Sequence, residues 1–126
     1  IAKSKVDNIK NRKSEDALNE IASICDKAEK LISSNNFNLK QLGNLINLSW
    51  TNKKKLSKSV SNKFLDNYIN ILKKNKIYGV KVLGAGGGGF IFVLAKKKLH
   101  KKIIHKTKLL RVNFDIDLMG TMCDRK

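Results

Sequence analysis

The sequence contains no proline and only two cysteines among its 126 residues. Cys25 and Cys123 lie far apart and form no CxxC pair, so they indicate neither a zinc site nor a disulfide framework. Cys25 falls on the apolar face of a predicted helix, where we expect a buried free thiol. This use of cysteine fits a reducing compartment, and we predict a cytoplasmic protein.

Long apolar runs are also missing. The longest is FIFVLA, residues 90–95, which is far shorter than the roughly 18 residues that a membrane-spanning helix needs. The chain starts at Ile1, and its first residues show neither the apolar core nor the cleavage site of a signal peptide. The length suits one compact domain. We expect residues 1–126 to be a piece of a longer protein.

Acidic residues are few, with 10 Asp and Glu against 27 Lys and Arg, for a formal net charge of +17. Lysines attract phosphate-rich partners because binding releases counterions. However, only Arg12, Arg111 and Arg125 are arginine, the residue best suited to bidentate phosphate and base contacts. We therefore favour a solvated surface that steers anionic substrates and keep a basic nucleic-acid-binding module as the alternative. Its phosphate-contacting face would consist of Lys96, Lys97, Lys98, Lys101, Lys102, Lys106 and Lys108.

Apolar residues in the first half of the chain recur at spacings of three and four, which predicts helices. The first helix begins at Ser14 as N-cap and ends around residues 33–36. The second begins after Asn38, with Gln41 at the capping-box spacing, and continues to about residue 60. The apolar face of the second helix is formed by Leu39, Leu42, Leu45, Ile46 and Trp50.

A third helix is predicted from Ser61, and its inward side is formed by Phe64, Leu65, Tyr68, Ile69 and Leu72. The period then changes to that of strands, at residues 77–83, 90–95 and 109–116. A short basic helix is expected between the last two strands. Helices followed by antiparallel strands predict an α+β domain of two layers.

The loop between the first two predicted strands, Gly84–Gly89, has almost no side chains. A Walker A loop would need Lys and then Ser or Thr after its last glycine, but Phe90 follows Gly89. The first, third and sixth loop residues fit the pattern G-x-G-x-x-G. That dinucleotide motif requires a helix directly after it, whereas here a strand is predicted. Neither nucleotide motif is therefore assigned.

Two interpretations of this loop are left. A flexible hairpin tip needs only one or two glycines, and a longer glycine run costs additional chain entropy on ordering. We favour the close approach of an anion or of a neighbouring loop to the main chain. Successive amides without side chains can form a concave set of N–H donors, and phosphate is the anion that suits it.

The segment Tyr78–Phe90, YGVKVLGAGGGGF, resembles the third conserved motif of the GHMP kinase superfamily, which includes galactokinases, homoserine kinases and mevalonate kinases. The upstream segment is similar to the sugar-kinase branch, in particular the D-glycero-D-manno-heptose 7-phosphate kinases, at Trp50, the cluster Lys53–Lys55 and the pair Leu65 and Asp66. The closing VNFDIDLMGTMC resembles the last strands of that branch. Trp50 itself is expected in the core, and Asp66 on the helix surface.

The resemblance implies that residues 1–126 are the C-terminal domain of a two-domain kinase. The implied fold is ferredoxin-like, an antiparallel sheet of three to four strands packed against helices. In the family, the N-terminal domain holds the ATP phosphates and the catalytic aspartate. We therefore expect no catalytic residue and no metal ligand in this chain, an inactive isolated fragment, and the protein's own N-terminal kinase domain as partner.

The resemblance further implies an enzyme that uses ATP and Mg²⁺ to phosphorylate the anomeric hydroxyl of a sugar phosphate, with D-glycero-D-manno-heptose 7-phosphate as the expected acceptor. A galactose-, fucose- or mevalonate-type acceptor is the alternative within the family. Lys81 can neutralise a substrate phosphate, or it is an ordinary solvated strand lysine. The residues implied beside the nucleotide phosphates are Gly84, Ala85, Gly86, Gly87, Gly88 and Gly89.

Overall fold

A computed structural model describes residues 12–123, which form four α-helices and one two-stranded sheet. In chain order the elements are α1 (Arg12–Ile32), α2 (Leu39–Leu56), α3 (Lys63–Lys73), β1 (Gly79–Leu83), β2 (Phe90–Leu94) and α4 (His100–Thr107). Short 3-10 turns cover Lys58–Val60 and Lys97–Leu99. The strands are antiparallel, with Gly79 opposite Leu94 and Leu83 opposite Phe90. The predicted α+β class is confirmed.

Asn38 is the N-cap of α2, as predicted. The Asn38 Oδ1 atom accepts hydrogen bonds from the backbone N–H groups of Lys40, at 2.8 Å, and Gln41, at 3.3 Å. It thereby satisfies two of the donors that a helix start leaves unpaired. The helix ends at Leu56 rather than near residue 60, because the backbone of Ser57 is extended and a 3-10 turn follows.

The start of α3 differs from the prediction by one residue. Its N-cap is Asn62, whose Oδ1 accepts the backbone N–H of Leu65 at 2.9 Å. The predicted cap, Ser61, instead donates its hydroxyl to the Asp66 carboxylate at 2.8 Å. Asp66, which was expected on the helix surface, is half-buried and accepts this hydrogen bond.

The core lies between α2, α3, α4 and the sheet. Trp50 is 2% exposed, which confirms its predicted core position. The helical period misplaced two other side chains, because it identifies a face but not what covers that face. Phe64 is 65% exposed and packs edge-on against Tyr68, with ring centroids 4.8 Å apart; Cys25 is exposed and not buried. The buried core cluster consists of Trp50, Val60, Leu65, Ile69, Leu72, Val80, Val82 and Ile103.

The third predicted strand, residues 109–116, is wrong: this segment is not a strand, so the sheet within residues 12–123 has two strands and not three to four. Its apolar side chains are largely exposed, with Leu110 at 91% and Ile116 at 81%. Alternation specifies a strand only where a neighbouring strand supplies hydrogen bonds. Phe114 of this segment contacts the ring of Phe92 in β2, at a centroid distance of 6.3 Å.

The helix α2 and the strand β1 meet backbone to backbone. A Cβ atom on Gly43 would lie 2.3 Å from the Tyr78 carbonyl oxygen, and one on Gly79 would lie 2.6 Å from the Gly43 carbonyl oxygen. Both distances are shorter than any real Cβ contact. The two glycines therefore allow a close approach that places α2 alongside β1.

At this contact Asn47 takes the place of a neighbouring strand. Its Nδ2 donates to the Tyr78 carbonyl at 3.2 Å, and its Oδ1 accepts the Val80 N–H at 3.0 Å. One side-chain amide therefore satisfies a donor and an acceptor on the outer edge of β1. Val80 is fully buried, so water could not take the place of Asn47 as the acceptor of its N–H group.

We expect Asn47→Ala to lower the free energy of unfolding by about 1–3 kcal/mol, since a buried N–H and a carbonyl lose their partners. Urea unfolding of the chain measures the change. Asn44→Ala is the matched control, because Asn44 lies on the same helix and is exposed. Equal stabilities of the two variants would show that the Asn47 amide does not support β1.

Candidate functional site

The glycine loop, Gly84–Gly89, joins β1 to β2 and is the candidate site. Backbone conformation accounts for most of its glycines, since a positive φ angle is costly for a residue with a Cβ atom. The glycines with positive φ are Gly84 at 87°, Gly86 at 97°, Gly87 at 75° and Gly89 at 99°. Gly88 is the exception, because its φ angle is not positive.

One side of the loop packs against the 3-10 turn that ends at Val60. A Cβ atom on Gly86 would lie 2.4 Å from the Val60 carbonyl oxygen, and the Gly87 N–H donates to that same oxygen at 3.0 Å. The loop is therefore not a freely flexible hairpin tip. On this side the close approach of a neighbouring segment to the loop main chain is observed, while the approach of an anion stays a prediction.

Two side chains also hold the loop by its carbonyl groups. The Lys53 Nζ atom donates to the Gly84 carbonyl and, at 3.3 Å, to the Val82 carbonyl at the end of β1. The Asn62 Nδ2 atom donates to the Gly87 carbonyl at 3.3 Å. The end of α2 and the N-cap of α3 thus fix the loop together with the Val60 turn.

The other side of the loop is open. A Cβ atom on Gly88 would meet nothing within 4 Å. Within residues 12–123, no hydrogen bond uses the N–H groups of Gly86 or Gly88. The loop therefore combines an anchored main chain with an unused N–H donor at the exposed Gly88, an arrangement that can bind an anion.

Lys81 lies in β1, three residues before the loop. It is half-buried, and its Nζ donates to the Ser49 hydroxyl on α2 at 3.1 Å. It is therefore not simply solvated, and its role toward a substrate stays a prediction. Sequence reasoning missed Lys53 and Asn62 as loop contacts. The lysine cluster drew attention to the first, but no local pattern shows which carbonyl a lysine reaches.

The remaining titratable groups form no second centre. His105 is exposed, and His100 is half-buried with its Nε2 at 3.3 Å from the Ala95 carbonyl. Among residues 12–123 no group of three or more His, Cys, Asp or Glu side chains is placed to hold a metal ion. The seven lysines of the alternative nucleic-acid face are all exposed.

Two surface grooves lie on α1 and α2, and neither touches the glycine loop. The larger, about 790 Å³, lies between α1 and α2 and is lined by residues that include Lys13, Leu48 and Lys55. The smaller is confined to α1 and the residue after it. Neither groove brings chemically reactive side chains together with the loop amides.

No helix in the described part of the chain has the length and apolarity to cross a membrane.

The sequence model of the family described as GHMP kinases C terminal matches residues 27–107. This range covers more than half of the chain and includes the glycine loop, both of its side-chain anchors and Lys81. The chain therefore belongs to the C-terminal domains of the GHMP kinases, and in its full-length form it is part of a kinase, a phosphate-transferring enzyme. No curated protein matches the chain.

Proposed function

We propose that this chain is the C-terminal domain of an ATP- and Mg²⁺-dependent kinase that phosphorylates the anomeric hydroxyl of a sugar phosphate. D-glycero-D-manno-heptose 7-phosphate is the acceptor that the sequence resemblance favours. In this proposal a separate N-terminal domain binds ATP and Mg²⁺ and carries the catalytic groups. The glycine loop completes the cleft from the C-terminal side, and the chain alone is inactive.

The observation that carries the proposal is the bare main chain at Gly88. Gly86 is explained inside the chain, because Val60 leaves no room for a Cβ atom. Gly88 has neither a positive φ angle nor a close neighbour among the described residues. A glycine that the chain itself does not require fits the approach of an outside group, and exposed amides favour an anionic one.

A kinase can use such a loop without any reactive side chain in it. Phosphoryl transfer depends mainly on positioning and on stabilising the charge of the transferred group. Fixed N–H donors serve this purpose well because they need little reorganisation during the reaction. The net charge of +17 would in addition raise the encounter rate with anionic sugar phosphates.

The test is an assay of the full-length protein with ATP, Mg²⁺ and a panel of acceptors: D-glycero-D-manno-heptose 7-phosphate, galactose, fucose and mevalonate. We expect phosphoryl transfer to the heptose phosphate. Gly88→Ala should lower kcat/KM by about tenfold or more, equivalent to about 1.4 kcal/mol, because a methyl group would stand where a phosphoryl oxygen approaches. Its unfolding free energy should change by no more than about 1 kcal/mol.

If none of the four acceptors is phosphorylated, the proposal is overturned. If an acceptor other than the heptose phosphate is phosphorylated, only the proposed substrate has to be corrected. Turnover by residues 1–126 alone would show that the catalytic groups are assigned to the wrong domain. The nucleic-acid alternative predicts tight binding with a steep salt dependence. Titration of DNA and RNA at two salt concentrations measures this binding and its salt dependence.

The cytoplasmic location stays a prediction.

A further inference from the structure

The three consecutive lysines at the end of α2 have different partners. The Lys54 ammonium lies over the Trp50 ring, 5.8 Å from its centroid. The Lys55 Nζ donates to the Asn52 side chain on the same helix at 3.2 Å. Lys53 instead reaches across to β1 and the glycine loop. Of these three lysines, Lys53 contacts the glycine loop, whereas Lys54 and Lys55 contact residues of their own helix.

Lys53 binds where β1 ends and the loop begins. Its ammonium group donates to the carbonyls of Val82 and Gly84, and the side chain is half-buried. Hydrogen bonds from a charged donor are stronger than those between neutral groups. This anchor is valuable here because a glycine run has no side chains of its own to restrict the main chain and loses much entropy on ordering.

A carbonyl anchor also determines where the loop directs its N–H groups. In a trans peptide the C=O and N–H bonds point in opposite directions. Lys53 holds the Gly84 carbonyl and so fixes the orientation of the first peptide of the loop. Asn62 holds the Gly87 carbonyl, so the Gly88 N–H of the same peptide points away from Asn62. The two anchors therefore fix the main chain on both sides of Gly86, and the second orients the Gly88 donor.

We propose that Lys53 is a positioning residue of the kinase. From the last turn of α2 it holds the entry of the glycine loop and so aims the loop amides at the phosphoryl group. Lys53 does not touch the substrate and acts through the main chain of residues 84–89. The inference rests on the proposed function of this loop, and it adds a residue outside the loop on which that function depends.

The experiment compares Lys53→Met with Lys54→Met in the full-length kinase. Both variants remove one positive charge from the same helical turn, but only the first removes the loop contact. We expect Lys53→Met to lower kcat by about 10- to 100-fold, the size of effect that a small misplacement of groups produces, with the KM for the sugar phosphate within about twofold of wild type. Lys54→Met should keep kcat within about twofold.

Two further measurements separate positioning from general destabilisation. Amide hydrogen exchange in residues 84–89 should be at least about fivefold faster in Lys53→Met and unchanged in Lys54→Met, an effect that loss of a loop anchor predicts. Lys53→Arg should regain part of kcat, because a guanidinium group can also donate to two carbonyls. If Lys53→Met does not fold, the kcat of Lys53→Arg tests the inference instead.

Equal kcat and equal exchange in the two methionine variants would overturn the inference. So would a folded Lys53→Arg enzyme that is slower than wild type by 100-fold or more. The exchange measurement does not depend on turnover. A wild-type protein without phosphoryl transfer would therefore refute the proposed function, while faster exchange in Lys53→Met alone would still support Lys53 as the anchor of the loop.

Discussion

Gly86→Ala is expected to detach the glycine loop from the Val60 turn and to abolish most of the kinase activity. At a φ angle of 97° an alanine is strained, at a cost of about 1–3 kcal/mol. Its Cβ atom would also lie 2.4 Å from the Val60 carbonyl oxygen and 2.7 Å from the Val60 Cα atom. Backbone atoms cannot move aside as a flexible side chain can. We expect a loss of at least about 2 kcal/mol in the free energy of unfolding.

Urea unfolding of the chain and the phosphoryl-transfer assay of the full-length protein measure the two effects. Gly88→Ala is the matched control for stability, since it adds the same methyl group two residues away in open space. The two variants should therefore differ strongly in stability, although both should lose activity. A Gly86→Ala chain as stable as Gly88→Ala would show that the Val60 contact does not hold the loop.

Gly43→Ala is expected to separate α2 from β1. In an isolated helix the change would be favourable by roughly 0.5–1 kcal/mol. In this fold the new Cβ atom would lie 2.3 Å from the Tyr78 carbonyl oxygen, and forcing extra volume into such a contact costs about 1–3 kcal/mol or more. The displaced helix would also weaken both Asn47 hydrogen bonds to β1. We therefore expect a net loss of at least about 1 kcal/mol, read from urea unfolding.

Asn44→Ala, at the next position of the same helix, provides the comparison. Asn44 is exposed, so this variant should show only the small gain in helix propensity. Opposite signs for the two alanine variants would demonstrate that tertiary contact decides the effect at Gly43. A stabilised Gly43→Ala chain would instead mean that α2 and β1 do not approach as closely as described.

Local sequence signals predicted most elements of this fold. The apolar spacing located α1, α2 and α3 because a helix places every third or fourth residue on one face. The Asn38 cap was predictable because its hydrogen bonds reach only two and three residues along the chain. The glycine loop, flanked by apolar strands, marked both the hairpin and the candidate site. All these signals act over a few residues.

Predictions from local patterns failed where the structure depends on packing against another element. Residues 109–116 alternate like a strand, yet strand formation needs a neighbouring edge in the right place. Cys25 was predicted on an apolar helical face, yet its side chain is exposed in the structure of residues 12–123. The open side at Gly88 and the closed side at Gly86 look identical in the sequence. The position of Val60 and the positive φ angle of Gly86 distinguish these two glycines.

The sequence alone determined the helices, the hairpin, the exposed positive charge and the membership in the GHMP kinases that the loop motif indicated. The tertiary structure decided how the site is built. It brought Gly43 against Tyr78, aligned Asn47 with the edge of β1, and placed Lys53 on the carbonyls of the loop. These contacts join residues about 30 positions apart in the sequence, and their geometry follows from the packing of α2 on the sheet rather than from any local pattern.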